Sequence, residues 1–138
     1  MKHALAFLSA IASVHALGRA IVTNQCDDDL YLYSSSGAQI TLSKDVSYSE
    51  IYAPTPSTLT LTPIQNSTWQ TILTYHIANA SVAWSLSDVG GGDAFAGRKI
   101  TVKPSDAACE EVVWAYGKPP PAPGAGEKVC GEESDLEI

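Results

Sequence analysis

The chain has 138 residues, 45% of them hydrophobic and 17% charged, and its fifteen Asp and Glu outnumber eight Lys and Arg to leave a formal net charge of −7. So short a chain holds one core, which argues against a multidomain enzyme. An acidic surface without clustered Lys and Arg also suits nucleic acid poorly, because phosphate binding rests on counterion release.

The N-terminus reads as a targeting segment. Met1-Lys2-His3 is a short basic start, 4–14 is an apolar run, and Val14-His15-Ala16 places small or apolar residues before Leu17. This predicts a secretory signal peptide over 1–16, cleaved after Ala16, and a single mature domain over 17–138. The run falls short of the roughly twenty residues a membrane span needs, so no membrane anchor is expected. The predicted location is extracellular or the cell wall.

Beyond the signal the pattern is that of strands. The runs 20–23 (AIVT), 30–33 (LYLY), 39–42 (QITL), 57–62 (STLTLT), 71–77 (TILTYHI) and 100–103 (ITVK) are rich in β-branched and aromatic residues, and several alternate in polarity. Gly, Pro, Asp and Asn clusters separate them, and no segment of twelve residues carries a helical stripe. An all-β sandwich is predicted. Ser34-Ser35-Ser36-Gly37 reads as a hairpin turn, and Asp27-Asp28-Asp29 as a charged turn between the first two strands. Three adjacent carboxylates on alternating faces do not supply the six to eight oxygens of a Ca²⁺ site, and Gly90-Gly91-Gly92-Asp93 lacks the Lys and helix start of a phosphate loop. His76, the one histidine beyond the signal, sits in a strand pattern rather than a catalytic constellation.

Three cysteines follow the signal: Cys26, Cys109 and Cys130. In an oxidising compartment disulfides persist, and an odd count leaves one thiol free or paired between chains. A Cys109–Cys130 bond closes a loop of about twenty residues, worth roughly 3 kcal/mol in the chain-entropy estimate, and pairs involving Cys26 stay open at this point. Spacings for a metal site are absent, and no cofactor is expected. Asn66-Ser67-Thr68 and Asn79-Ala80-Ser81 fit the N-glycosylation sequon, and both fall outside the predicted strands.

Several blocks carry a family resemblance. Gly18-Arg19-Ala20-Ile21-Val22-Thr23-Asn24-Gln25-Cys26, Leu30-Tyr31-Leu32-Tyr33, Ser47-Tyr48-Ser49-Glu50, Val82-Ala83-Trp84-Ser85-Leu86-Ser87-Asp88-Val89 and Asp93-Ala94-Phe95-Ala96-Gly97 resemble, in that order, the Blastomyces yeast-phase-specific protein family, also called fungal antigenic thaumatin-like proteins. The resemblance implies a small secreted thaumatin-like β-sandwich, non-enzymatic, acting by surface recognition at the cell wall or a host interface. It implies a Cys109–Cys130 disulfide and an unpaired Cys26. The protein is then a monomer, or a dimer through Cys26.

Larger thaumatin-like proteins carry an acidic cleft that binds β-1,3-glucan and in some members hydrolyses it. The residues here that would supply such a patch are Asp88 and Asp93, joined by Glu50, with Trp84 as a ring to stack on sugar; Trp69, Tyr31 and Tyr48 are further rings of that kind. Ser85 stands where the family block would supply one cleft Asp, and the chain lacks the second, disulfide-rich domain that forms the other wall. A β-1,3-glucan-binding module or weak endo-β-1,3-glucanase is therefore the alternative reading. The expected partners are cell-wall polysaccharide or a host protein.

Overall fold

The computed structural model describes residues 16–121 and 126–138. The expected signal segment, Ala16 excepted, and part of the Pro-rich stretch fall outside them. The described residues form eleven strands and no helix: β1 (Arg19–Thr23), β2 (Leu30–Ser34), β3 (Gln39–Leu42), β4 (Ser47–Ile51), β5 (Ser57–Thr62), β6 (Gln70–Ala78), β7 (Ser81–Val89), β8 (Ile100–Pro104), β9 (Val112–Trp114), β10 (Lys128–Gly131) and β11 (Leu136–Glu137).

Two sheets pack as a sandwich. One has the order β4-β1-β11-β8-β9 and the other β10-β7-β6-β5-β2-β3. The all-β architecture expected from the sequence is the one observed. Its origin is visible strand by strand: in β2, Leu30 and Leu32 are buried while Tyr31 and Tyr33 point outward, and in β6, Thr71, Leu73 and Tyr75 are buried between Gln70, Ile72, Thr74 and His76. Alternation of this kind places one side of each strand on the core. Val22, Val102 and Leu136 from the first sheet meet Leu32, Leu59, Leu73, Val82 and Trp84 from the second.

Turn chemistry fixes the register. Asn79 and Ala80 both have positive φ, 52° and 57°, and close a two-residue hairpin in which Ala78 pairs with Ser81. A primed turn of this kind matches the twist of the long β6–β7 ribbon. At the other end of that ribbon Gly90 has φ +89°, and a Cβ there would lie 1.9 Å from the Thr68 carbonyl oxygen. Only glycine fits that approach of two loops.

Five of the strands are additional to those the sequence predicts. β4 inverts the usual pattern, with Glu50 half-buried and turned inward and Ile51 exposed. β9, β10 and β11 have two to four residues, too few to show a period. β7 lies within a block that stands out in the sequence for its family resemblance alone, although Val82, Trp84 and Leu86 alternate inward along it.

Candidate functional site

Glu50 projects from the edge strand β4 across the open side of the sandwich. Its carboxylate accepts hydrogen bonds from Tyr48 Oη at 2.7 Å, Ser34 Oγ at 2.7 Å, Ser36 Oγ at 3.2 Å and, on the other oxygen, Tyr75 Oη. Burial pushes the carboxyl upward, but the four hydroxyls together outweigh it and hold it below its ordinary value. The same contact, with burial as the larger cause, raises the Tyr75 phenol. Tyr75 and Ser34 belong to the opposite sheet, so Glu50 fastens the two sheets at this edge. An inward-turned charge also discourages a foreign strand from adding to β4.

Asp88 lies elsewhere. Its Oδ1 accepts the Thr71 hydroxyl at 2.5 Å, and its Oδ2 is buried with no partner among the described residues. Thr71 and Tyr75 are four residues apart on β6, about 13 Å along the strand, so Asp88 and Glu50 anchor on well-separated parts of the interior. Asp93 sits nearer Asp88, close enough to act on it electrostatically, and pairs with Lys118 at 3.1 Å. Burial pushes the Asp88 carboxyl up, the Thr71 hydroxyl pulls it back, and the Asp93 charge raises it further.

Trp84 corrects the expectation for the aromatic member of the patch. It is 2% exposed at the centre of the core, with its indole N–H unpartnered. The reason is its inward position between Val82 and Leu86 on β7. A sugar cannot reach this ring. Trp69, by contrast, is 53% exposed and rests over Gly92, where a Cβ would stand 2.7 Å from the indole. Glu50, Asp88, Asp93 and Trp84 therefore do not form one surface patch.

Cys109 and Cys130 are bonded, with Cα atoms 5.7 Å apart, while Cys26 is half-buried with a free thiol. The bond ties the β8–β9 connection to β10 of the other sheet. The three aspartates of the first turn have separate partners: Asp27 pairs with Lys44 at 2.6 Å, Asp28 with Arg98 at 2.5 Å, and Asp29 accepts the Ser43 hydroxyl at 3.0 Å. The two sequon asparagines, Asn66 and Asn79, lie on exposed turns with positive φ.

Two features remain that can hold a ligand. The first is the outer face of the six-stranded sheet. The outward positions of β2, β3, β5, β6 and β7 carry no Asp, Glu, Lys or Arg. The strand register sets Gln39, Tyr33, Thr60, Ile72 and Ser87 side by side in one row, about 19 Å long at the usual strand spacing. Beside it a shallow depression of about 400 Å³ is lined by Tyr33, Thr60, Asn66, Ser67 and Gln70. Its sequence signal was present in the alternation of LYLY and STLTLT, which puts Tyr and Thr on the side opposite Leu.

The second is a cleft of about 670 Å³ at one end of the other sheet. Its lining includes the buried Val22, Leu30, Leu61, Phe95 and Ile100, together with Cys26, Lys99 and Glu137.

Comparison with curated proteins gives no match. The crystal structure of the protein elicitor MoHrip2 from Magnaporthe oryzae is similar in fold, with a TM-score of 0.71 at 22% identity, covering 87% of this chain and 96% of that one. The model of the family described as Blastomyces yeast-phase-specific protein matches residues 7–138. With nearly its whole length matched, the chain belongs to the Blastomyces yeast-phase-specific protein family.

Proposed function

We propose that this chain is a secreted, non-enzymatic fungal recognition protein, a mature domain over 17–138 that works at the cell wall or a host interface through the outer face of its six-stranded sheet. Neutral wall polysaccharide, β-1,3-glucan first, is the ligand class this reading favours. One observation carries it: an acidic protein presents a five-strand-wide face without a single formal charge. Docking a neutral polymer there strips no ion of its water, threonine and serine hydroxyls can exchange hydrogen bonds with sugar hydroxyls, and the half-exposed rings of Tyr31 and Tyr33 offer stacking surface. The disulfide fits an oxidising destination. Glycans on Asn66 and Asn79 belong to the same reading.

A weak glucanase is the second reading, favoured by the raised carboxyl of Asp88 beside Asp93. Co-sedimentation with insoluble β-1,3-glucan, chitin and cellulose separates the two when run with a reducing-sugar assay. On the recognition reading the wild type sediments with glucan, Thr60→Glu with Thr74→Glu weakens retention tenfold or more, and Asp88→Asn with Asp93→Asn leaves it unchanged. Equal retention of the face variant and the wild type refutes this assignment of the face. Sugar release that disappears with the two Asn substitutions establishes the glucanase instead.

A further inference from the structure

The depression beside the uncharged face has a carbohydrate acceptor in its own wall. Asn66, the first residue of the sequon Asn66-Ser67-Thr68, lines it together with Tyr33, Thr60, Ser67 and Gln70. Asn66 takes φ 60°, and the Ile64 carbonyl accepts the Ser67 N–H at 3.1 Å, the pattern of a turn that favours Asn at its third position. Ser67 Oγ accepts the Trp69 N–H at 3.0 Å, and the Gln70 amide donates to the Ser67 carbonyl at 3.0 Å. The close approach of Gly90 to the Thr68 carbonyl braces the segment further. Asn66 is therefore exposed for modification, yet held beside Tyr33 and Thr60 by a bonded turn.

The other walls suit a sugar. Tyr33 offers part of a ring, Thr60 a hydroxyl, and Gln70 a carbonyl oxygen with no partner among the described residues. None of the lining residues is charged, so a neutral sugar settling there strips no ion of its water, and the Tyr ring gives it apolar surface. Asn79 supplies the contrast. It follows Ala78 at the far end of the nine-residue β6 from Gln70, about 26 Å along the strand, and is no part of the depression.

We propose that Asn66 carries an N-glycan whose first N-acetylglucosamine folds back into this depression, so that the protein's own sugar competes there with polysaccharide arriving from outside. The competition rests on the secreted recognition reading given above. In the attachment step a bond forms between Asn66 Nδ2 and the anomeric carbon of the sugar. The bond from that carbon to a phosphate oxygen of a lipid-diphosphate oligosaccharide donor breaks, the amide gives up one proton, and the lipid diphosphate leaves. Nothing is oxidised or reduced. A sugar tethered so closely is present at millimolar effective concentration, enough to hold a weak site partly filled.

The test uses the full chain carrying Ser81→Ala, which removes the other sequon and keeps Asn79 at its positive φ. It is secreted from yeast and trimmed by an endoglycosidase that leaves one N-acetylglucosamine. One sugar is too small to screen a five-strand face by bulk alone. Intact mass should show that sugar on Asn66, and NMR cross-peaks should join its protons to the Tyr33 ring and Thr60. Adding Thr68→Ala, which abolishes attachment and keeps Asn66, should raise retention on insoluble β-1,3-glucan about threefold or more over the trimmed form. An unmodified Asn66, cross-peaks confined to the Asn66 side chain, or equal retention of the two forms overturns the proposal. If neither form is retained, it is the recognition reading that fails, and the cross-peaks alone then decide whether the depression holds the sugar.

Discussion

Replacing Glu50 tests the carboxylate that fastens the sandwich. Four hydroxyl donors converge on it, those of Ser34 and Tyr75 from strands of the opposite sheet and that of Ser36 from the turn joining β2 to β3. A hydrogen bond to a charged group contributes about 1.5–3 kcal/mol, but bonds sharing one acceptor do not add, and Glu50 is only half-buried. The Tyr75 hydroxyl, on a buried residue, would be left without its acceptor. Glu50→Ala should therefore destabilise by about 2–4 kcal/mol at pH 7. Glu50→Gln keeps the shape and one acceptor, and the serine hydroxyls can turn to accept from its amide, so its cost should be nearer 1 kcal/mol.

The pH dependence has a definite sign. The folded protein holds the Glu50 carboxyl below its ordinary value of 4.5, so the unfolded chain takes up the proton first as pH falls. Its contribution is full above about pH 4.5 and is lost as pH drops through the lower folded value. Glu50→Gln has no such titration. Urea melts of wild type and Glu50→Gln at pH 7, 5, 4 and 3 should show the gap between them closing below pH 4.5, while the other carboxylates shift both proteins alike. A Glu50→Ala variant within 0.5 kcal/mol of wild type at pH 7, or a wild type and Glu50→Gln gap that stays constant with pH, refutes the reasoning.

Asp88→Asn should behave in the opposite way. The folded protein raises this carboxyl, so its contribution is full below the ordinary value of 3.8 and lost as pH rises through the folded value; the variant keeps an acceptor for Thr71 and removes a half-buried charge. It should be about 0.5–1.5 kcal/mol more stable than wild type at pH 7, with the difference vanishing near pH 3, and a variant destabilised at both pH values contradicts this account. Breaking the Cys109–Cys130 bond by Ser substitution of both residues should cost about 3 kcal/mol for a separation of 21 residues, read as a lower urea midpoint that reductant no longer shifts. A double variant that still responds to reductant would place the redox-sensitive element elsewhere.

Much of the fold was legible because most long strands alternate cleanly. Leu30 and Leu32 against Tyr31 and Tyr33, and Leu59 and Leu61 against Thr58 and Thr60, declare their inner and outer sides in the sequence itself. β4 was not legible because Glu50 occupies an inward position, where a periodicity reading expects an apolar residue. β11, with two residues, exists only through its neighbours β1 and β8. The site suffered from a similar limit. Composition singles out carboxylates and tryptophans as places for chemistry, yet most of the partners that disperse Glu50 and Asp88 come from residues 14 to 25 positions away. The uncharged face was written in the sequence as an omission, and omissions become visible only once register aligns five strands.

The sandwich is closed along its two long seams by different chemistry: a carboxylate under a cluster of hydroxyls beside β4, and sulfur beside β10. Acid well below pH 4.5 loosens the first and spares the second, whereas thiols cut the second and spare the first. A protein so stitched should survive an acidified oxidising fluid or a neutral reducing one with one seam intact. It should come apart readily only where low pH and reducing power coincide.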